Sequence, residues 1–347
     1  MTIPASVEDI TVDWMTDTAG VPCEAVEVTQ IGVGVGVSSA LYRVRLEGEG
    51  CPESVVVKLP ALDDAAVFTS TVLRMYIREV RFFERLAAEV PVRVPAYHHG
   101  AVDEETSQFV VVMEDLGGYR IVDQLDGMPI ADAERAVDAL ARWQSQWWGS
   151  AEELVDAGLT VHLGDPIYPA VLPTVFAEGW EKLLAEHEVP EPILDVGPGF
   201  GDAIPHLLTD LAQGPTTLCH GDFRADNMLF DPAGEPALLD FQLIGTGAGA
   251  YDLAYFTTQS LDATDAAAHE RRLFDRWCDG LEAGGVTGLD REVEWLRYRK
   301  AALFCLVYPV VACRGMDLDE PRQRALIDCM DTRFTRAVEE LDLVELL

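Results

Sequence analysis

The sequence predicts an α+β protein in two lobes, a small antiparallel-sheet lobe followed by a larger, mainly helical one. Three observations carry this. Apolar and polar residues alternate over 25–60, the period of half-buried strands. The period becomes helical over 70–89 and returns to strand-like near 94–116. Beyond LGG (116–118), helical patterns dominate. The lobes are then residues 1–115 and 116–347, with a hinge near Met113–Gly118.

The chain has 347 residues, 49% of them hydrophobic, ample for two cores. It carries 60 acidic and 25 basic residues, a net charge of −35. Such a surface repels nucleic acid and anionic membranes, so neither is expected as a partner. Seven cysteines are scattered without a CxxC pair, which fits a reducing cytoplasm better than a disulfide framework or a zinc site. The stretch MTIPASVEDITVDW has neither the basic start nor the apolar centre of a signal peptide. The longest uncharged apolar run, AALFCLVYPVVAC (301–313), is too short to span a bilayer and reads as a buried helix.

In order, EAVEVTQIGVGVG, SSALYRVRLEG and ESVVVKLP read as a strand meander. STVLRMYIREVRFFERLAAE (70–89) puts Leu73, Ile77, Val80, Phe83 and Leu86 on one helical face. VPAYHHGAV and SQFVVVMEDL read as a strand pair. Helices follow at 131–148, 171–187, 201–212, 250–260, 265–284, 290–313 and 320–342. Short strand-like pieces interrupt them at TTLC, NMLF and ALLDF.

Four stretches carry candidate chemistry. In IGVGVGVSSALYRV, glycines 32, 34 and 36 lie between strands, not between a strand and a helix, so a dinucleotide fingerprint does not fit. Two readings stand: a hairpin lying over phosphates, with Gly34, Gly36 and Ser38 as contacts, or a flexible hairpin with no ligand. In VVVKLP, Lys58 is one of only three lysines in an arginine-favouring chain. A compact ammonium suits phosphate binding, and Glu79 is the carboxylate available to orient it, unless Glu79 merely belongs to a solvated helix face. HGDFRADNMLF (220–230) crowds acids and an amide between apolar flanks. Asp222 can accept a hydroxyl proton and Asn227 can offer an amide oxygen to Mg²⁺. His220 reads as a structural hydrogen-bonder, Asp226 as support, and Arg224 as meeting either phosphate or a nearby acid. In ALLDFQLIGTGAGAYDLAYF, Asp240 ends an apolar strand, where a carboxylate can bridge metal and phosphates. Asp252 reads as a brace that accepts backbone amides.

Together HGDFRADNMLF, LLDFQ and YDLAYF resemble the catalytic and metal-binding motifs of the aminoglycoside phosphotransferase and choline kinase-like superfamily, relatives of the protein kinases with the same two-lobed fold. VVVKLP, REVRFFERL, VVVMEDLGG and LARWQSQWW match the strand, helix, hinge and post-hinge helix of that family. The resemblance covers about residues 25–260. It implies transfer of the ATP γ-phosphoryl group to a hydroxyl of a small molecule. Lys58 would contact phosphates and pair with Glu79, Asp222 would be the catalytic base, and Asn227 and Asp240 would bind Mg²⁺. The segment Met113–Leu116, with Glu114 and Leu116, would receive adenine. HGD and DFQ stand where protein kinases have HRD and DFG, and no APE-type segment is present, which favours a small-molecule acceptor.

Two other readings compete. One is a nucleotide-binding pseudokinase without turnover. The other rests on LDVGPGFG (194–201), which is similar to the strand–glycine loop of S-adenosylmethionine-dependent methyltransferases, although no strand–helix alternation follows it. For the acceptor pocket, Trp180, Trp277, Trp295, Tyr298, Phe304 and Tyr308 are candidates, with helical core packing the ordinary alternative.

Overall fold

Strands β1 (Ala25–Ile31), β2 (Ser39–Glu47), β3 (Ser54–Pro60), β4 (Tyr97–Val102) and β5 (Phe109–Glu114) form one sheet in the order β1-β2-β3-β5-β4. Every neighbouring pair is antiparallel. This is a computed structural model, and it describes residues 3–32 and 38–347. The chain packs as two units. The first runs to Arg120 and takes back Ala237–Ile244; the second holds Ile121–Pro236 and Gly245–Leu347.

Central position explains the apolar run of β3, since Val55 to Leu59 are all buried. Its side chains still alternate between faces. Val55, Val57 and Leu59 share a core with Tyr42, Val44, Val110 and Val112, and with Trp14 and Met15 of α1 (Val12–Asp17). Lys58 therefore points to the opposite face, toward Glu79 of α3 (Met75–Arg85), the helix that follows α2 (Asp64–Val72).

The expected single helix over 70–89 is thus two helices. The chain breaks at Leu73–Arg74, where Arg74 takes a left-handed conformation with φ 56°. The carbonyl that the break frees at Leu73 accepts from the Arg78 guanidinium at 2.8 Å. A side chain several residues downstream thus completes the interruption, which apolar spacing alone does not register.

The strand β6 (Arg120–Ile121) stands at the boundary between the units. The second unit contains α4 (Ile130–Ser145), α5 (Glu152–Asp156), α6 (Ile167–Glu186), α7 (Glu191–Ala212), α8 (Ala250–Ser260), α9 (Ala263–Ala283), α10 (Arg291–Phe304), α11 (Val307–Gly315) and α12 (Pro321–Glu340). The short strands are β7 (Val161–His162), β8 (Thr217–Cys219), β9 (Met228–Phe230), β10 (Pro236–Leu238) and β11 (Gly245–Gly247). Of these, β11 lies between β7 and β8.

Two further expectations change here. The helix expected over 290–313 divides between Phe304 and Val307, because Pro309 cannot donate to Cys305 and its ring would crowd that carbonyl. LDVGPGFG is no strand–glycine loop. It lies inside the continuous helix α7, which overturns the methyltransferase reading. Its glycine serves packing instead: a Cβ on Gly197 would sit 2.2 Å from the Trp180 ring of α6. No described helix is long and apolar enough to cross a membrane.

Candidate active site

The sequence-selected residues fall into two groups, one in each unit. In the first unit, Lys58 is 2% exposed and Glu79 fully buried. The Lys58 ammonium donates to Glu79 Oε1 at 2.8 Å and to Asp240 Oδ1 at 3.0 Å. Burial presses this ammonium down, but Asp240 and Glu79 more than offset that and hold it above its ordinary value. Burial likewise pushes Glu79 up, to about 7, against the pull of Lys58. Lys58 is therefore a fixed positive charge, held by the carboxylates on either side of it.

Asp240 has φ 62°, a left-handed conformation that costs a non-glycine residue on the order of 1 kcal/mol. The next residue explains how it is held. Phe241 stacks on Phe82 of α3 at 3.8 Å and meets Phe83 edge-on. Three residues further on, Ile244 O accepts from Arg78 of the same helix. This packing fixes the segment and leaves the Asp240 side chain about one-third exposed.

At the end of β5, the Glu114 amide donates to Ala96 O, and its carboxylate accepts from Arg93 and from Ala96 N. Leu116 is buried. Between them, Asp115 accepts from Arg43 at 2.6 Å, from Ser54 at 2.7 Å and from the Gly117 amide. Burial pushes Asp115 up, but these donors hold it below the usual carboxylate range. Gly117 makes room for this clamp, since a Cβ there would meet the Arg43 guanidinium at 2.4 Å. Gly34 and Gly36 lie outside the described residues. Ser38 is described: its hydroxyl donates to Gln242 Oε1 and its carbonyl accepts from Tyr76.

In the second unit, the loop His220–Asn227 leaves β8 and hangs from Asp252 on α8. Asp252 Oδ2 accepts from His220 N at 2.8 Å and Oδ1 from Gly221 N at 2.9 Å, while Gln144 of α4 donates to Oδ2. Burial pushes Asp252 up to about 7, although the amides and Gln144 pull it down. Gly221 has φ +84°, a turn that opens the loop toward Asp222. His220, 1% exposed, accepts from the Asp222 amide through Nδ1 at 3.3 Å.

Both carboxylate oxygens of Asp222 are engaged. Arg224 Nε donates to Oδ1 at 3.1 Å, and the Asn227 amide nitrogen donates to Oδ2 at 2.7 Å and to the Asp222 carbonyl at 2.9 Å. Arg224 also reaches Asp226 at 2.6 Å and Gln124. Of the two partners considered for Arg224, the acids are the ones it meets in this structure. Phe223 points inward and is fully buried, which explains the apolar letter between the two charged ones. The orientation of the Asn227 amide leaves its oxygen directed away from Asp222.

Among the aromatic candidates, Trp277, Tyr298 and Phe304 are core. Trp277 donates to Gln144 and Tyr298 to Glu270. Trp180 stacks on Phe176, and Trp295 stacks on Tyr298. Tyr308 is different: it stacks on Tyr255 at 3.9 Å. Burial and then Asp222 push the phenols of both tyrosines well above their ordinary range, so both are near the loop. Tyr255, Gln144 and Gln124 escaped the sequence reading. The only signal for Gln144 was a glutamine within the tryptophan-rich turn pattern of LARWQSQWW.

Among the described residues, no group of three or more His, Cys, Asp and Glu side chains forms a metal cage. The side-chain oxygens of Asp240 in the first unit and of Asn227 in the second are each donors of the kind Mg²⁺ takes, since that ion binds one or two protein oxygens and fills the rest of its shell with phosphate and water.

The model of the phosphotransferase enzyme family (APH) matches residues 29–285. No curated protein sequence matches. Among solved structures, a Ralstonia eutropha JMP134 protein provisionally described as an aminoglycoside phosphotransferase is similar, with TM-score 0.58 and 18% identity over 94% of this chain and 96% of the other. Choline kinase from Cryptosporidium parvum gives 0.57 and 11% over 92% and 90%. An aminoglycoside phosphotransferase, APH(2")-IIIa, in complex with GDP and kanamycin, gives 0.52 and 16% over 96% and 97%. At these identities the structures speak for the fold alone, the two-lobed fold of small-molecule kinases. The family match spans most of the sequence, and on it the chain belongs to the phosphotransferase enzyme family and is a small-molecule phosphotransferase.

Proposed function

We propose that this enzyme transfers the γ-phosphoryl group of ATP to an alcohol hydroxyl of a small molecule, with Mg²⁺, in a reducing cytoplasm. The observation that carries the reading is the buried Lys58 ammonium between Glu79 and Asp240. A chain of net charge −35 has little affinity for a nucleotide polyanion unless it presents fixed positive charge. Lys58 binds the phosphates, Glu79 orients it, and the segment Met113–Leu116 receives the adenine. Asp240, with the Asn227 amide oxygen as a second ligand, would hold Mg²⁺, which would offset charge on the phosphates.

Asp222 accepts a hydrogen bond from the acceptor hydroxyl and aims its oxygen. Arg224 and Asn227 hold both carboxylate oxygens, so its work is orientation more than proton storage. In phosphoryl transfer of this kind, positioning and charge stabilisation supply most of the acceleration. The acceptor belongs to the broad class of small alcohols. Relatives of this fold include a kanamycin-bound enzyme and a choline kinase, and this chain is assigned to neither substrate.

The test is ADP release with MgATP across aminoglycosides, choline-like amines, sugars, sterols and simple alcohols. At least one acceptor should raise the rate well above hydrolysis, and Asp240→Ala should abolish the metal-dependent part. Full activity in Asp240→Ala would remove the metal role.

A further inference from the structure

Gln242 follows Asp240 by two residues and is 1% exposed. Its Oε1 accepts from the Ser38 hydroxyl at 2.5 Å. Its Nε2 is buried and has no hydrogen-bond partner among the described residues. A glutamine in this setting is a poor choice for stability, because a buried amide donor without an acceptor is a net cost that leucine or methionine avoids. Its backbone nitrogen lies 3.5 Å from Asp240 Oδ1, the oxygen that Lys58 also contacts. At the other end, Ser38 closes the glycine run and precedes β2. Its carbonyl is held independently by Tyr76, whose ring stacks on Phe109 at 4.1 Å. Ser38 is therefore pinned through its carbonyl from α3 and through its hydroxyl from the segment that carries Asp240.

We infer that Gln242 is a positioning residue that locks Ser38, at the entry to β2, to the Asp240 segment, so that nucleotide bound beside Lys58 and the cation-binding carboxylate are set together. This rests on the nucleotide reading above. A packing role would make Gln242 contribute to stability. A coupling role makes it contribute to the part of nucleotide affinity that depends on Mg²⁺, and here the stability cost of its unpartnered amide separates the two.

The experiment is a double-mutant cycle with Ser38→Ala, Gln242→Leu and the pair, measured on the full chain by calorimetry with ATP alone and with MgATP, and by thermal melting without ligand. Gln242→Leu should melt no lower than wild type yet lose about tenfold of the affinity gain that Mg²⁺ confers. Ser38→Ala should lose a similar factor, and the double variant no more than either. Gln242→Glu keeps the acceptor for Ser38 and should recover part of the gain. Wild-type binding of MgATP with an unchanged gain in Gln242→Leu, or multiplicative losses in the double variant, overturns the inference alone. A wild-type protein that binds no MgATP overturns the nucleotide reading and this inference with it.

Discussion

Two buried carboxylates, Glu79 and Asp252, are both pushed up to about 7 by burial, yet they face different partners. Folding makes each hold its proton more tightly than the unfolded chain does. Their contributions to stability are therefore whole below the ordinary carboxylate range and are lost as pH rises toward 7. For Asp252 the window runs from about 4 to about 7. Asp252→Asn should flatten the fall of unfolding free energy across that window in urea titrations, and should cost activity because one of the two loop amides loses its acceptor. An unchanged slope would mean that Asp252 titrates no differently in the folded protein. Lys58→Met leaves Glu79 buried without its cation, which should cost about 3–5 kcal/mol. The loss should be larger at pH 8 than at pH 5.5, where Glu79 takes up a proton; equal losses would contradict this. At this scale Lys58 was legible because lysine is so rare in the chain. Gln144 and Gln124 were not, because a buried amide is explained by its partners. Those of Gln144 on Gly249, Asp252 and Trp277, and Arg224 for Gln124, lie about a hundred residues away in sequence.

Among the elements, the strands of the five-stranded sheet were legible, whereas the short strands β6, β7 and β11 and the continuity of the helices were not. Strand alternation is local, and the sheet reproduces the expected meander and strand pair. Helix ends depend on what completes them: Arg78 at the break before α3, and Pro309 at the break before α11. The glycines of α6 and α7 follow the same logic. Gly179 meets the Val310 carbonyl at a Cβ distance of 2.2 Å and Gly197 meets Trp180 equally closely, whereas a Cβ on Gly199 would find only Leu347, at 3.9 Å. Gly179→Ala and Gly197→Ala should each destabilise by about 1–3 kcal/mol through forced displacement. Gly199→Ala should instead be neutral or stabilise by up to about 1 kcal/mol through helix propensity. Melting temperatures of the three variants decide it, and a Gly197→Ala protein as stable as wild type would refute the packing account of LDVGPGFG.

For the whole molecule, composition speaks against some classes of partner more readily than it identifies one. A net charge of −35 argues against nucleic acid, while the family match establishes a phosphotransferase. What no local pattern displayed is that Ala237–Ile244 packs with the first unit, so that Asp240 reaches Lys58 across 182 positions of sequence. The order of the motifs was readable, but their convergence on one ammonium depends on that return. The tyrosine pair is illegible for the same kind of reason. Tyr255 and Tyr308 come from helices far apart in sequence, and their stacking near the loop His220–Asn227 belongs to the tertiary fold. The central claim is that Asp222 directs ATP-dependent phosphoryl transfer to an alcohol. Phosphorus NMR of MgATP with an acceptor identified by the ADP-release screen tests it most directly. Wild type should convert ATP to ADP and a phosphate monoester of the acceptor. Asp222→Asn should lower kcat by at least about 10²-fold, with KM for ATP changed by no more than a few fold. Monoester formation at an undiminished rate in Asp222→Asn would contradict the account.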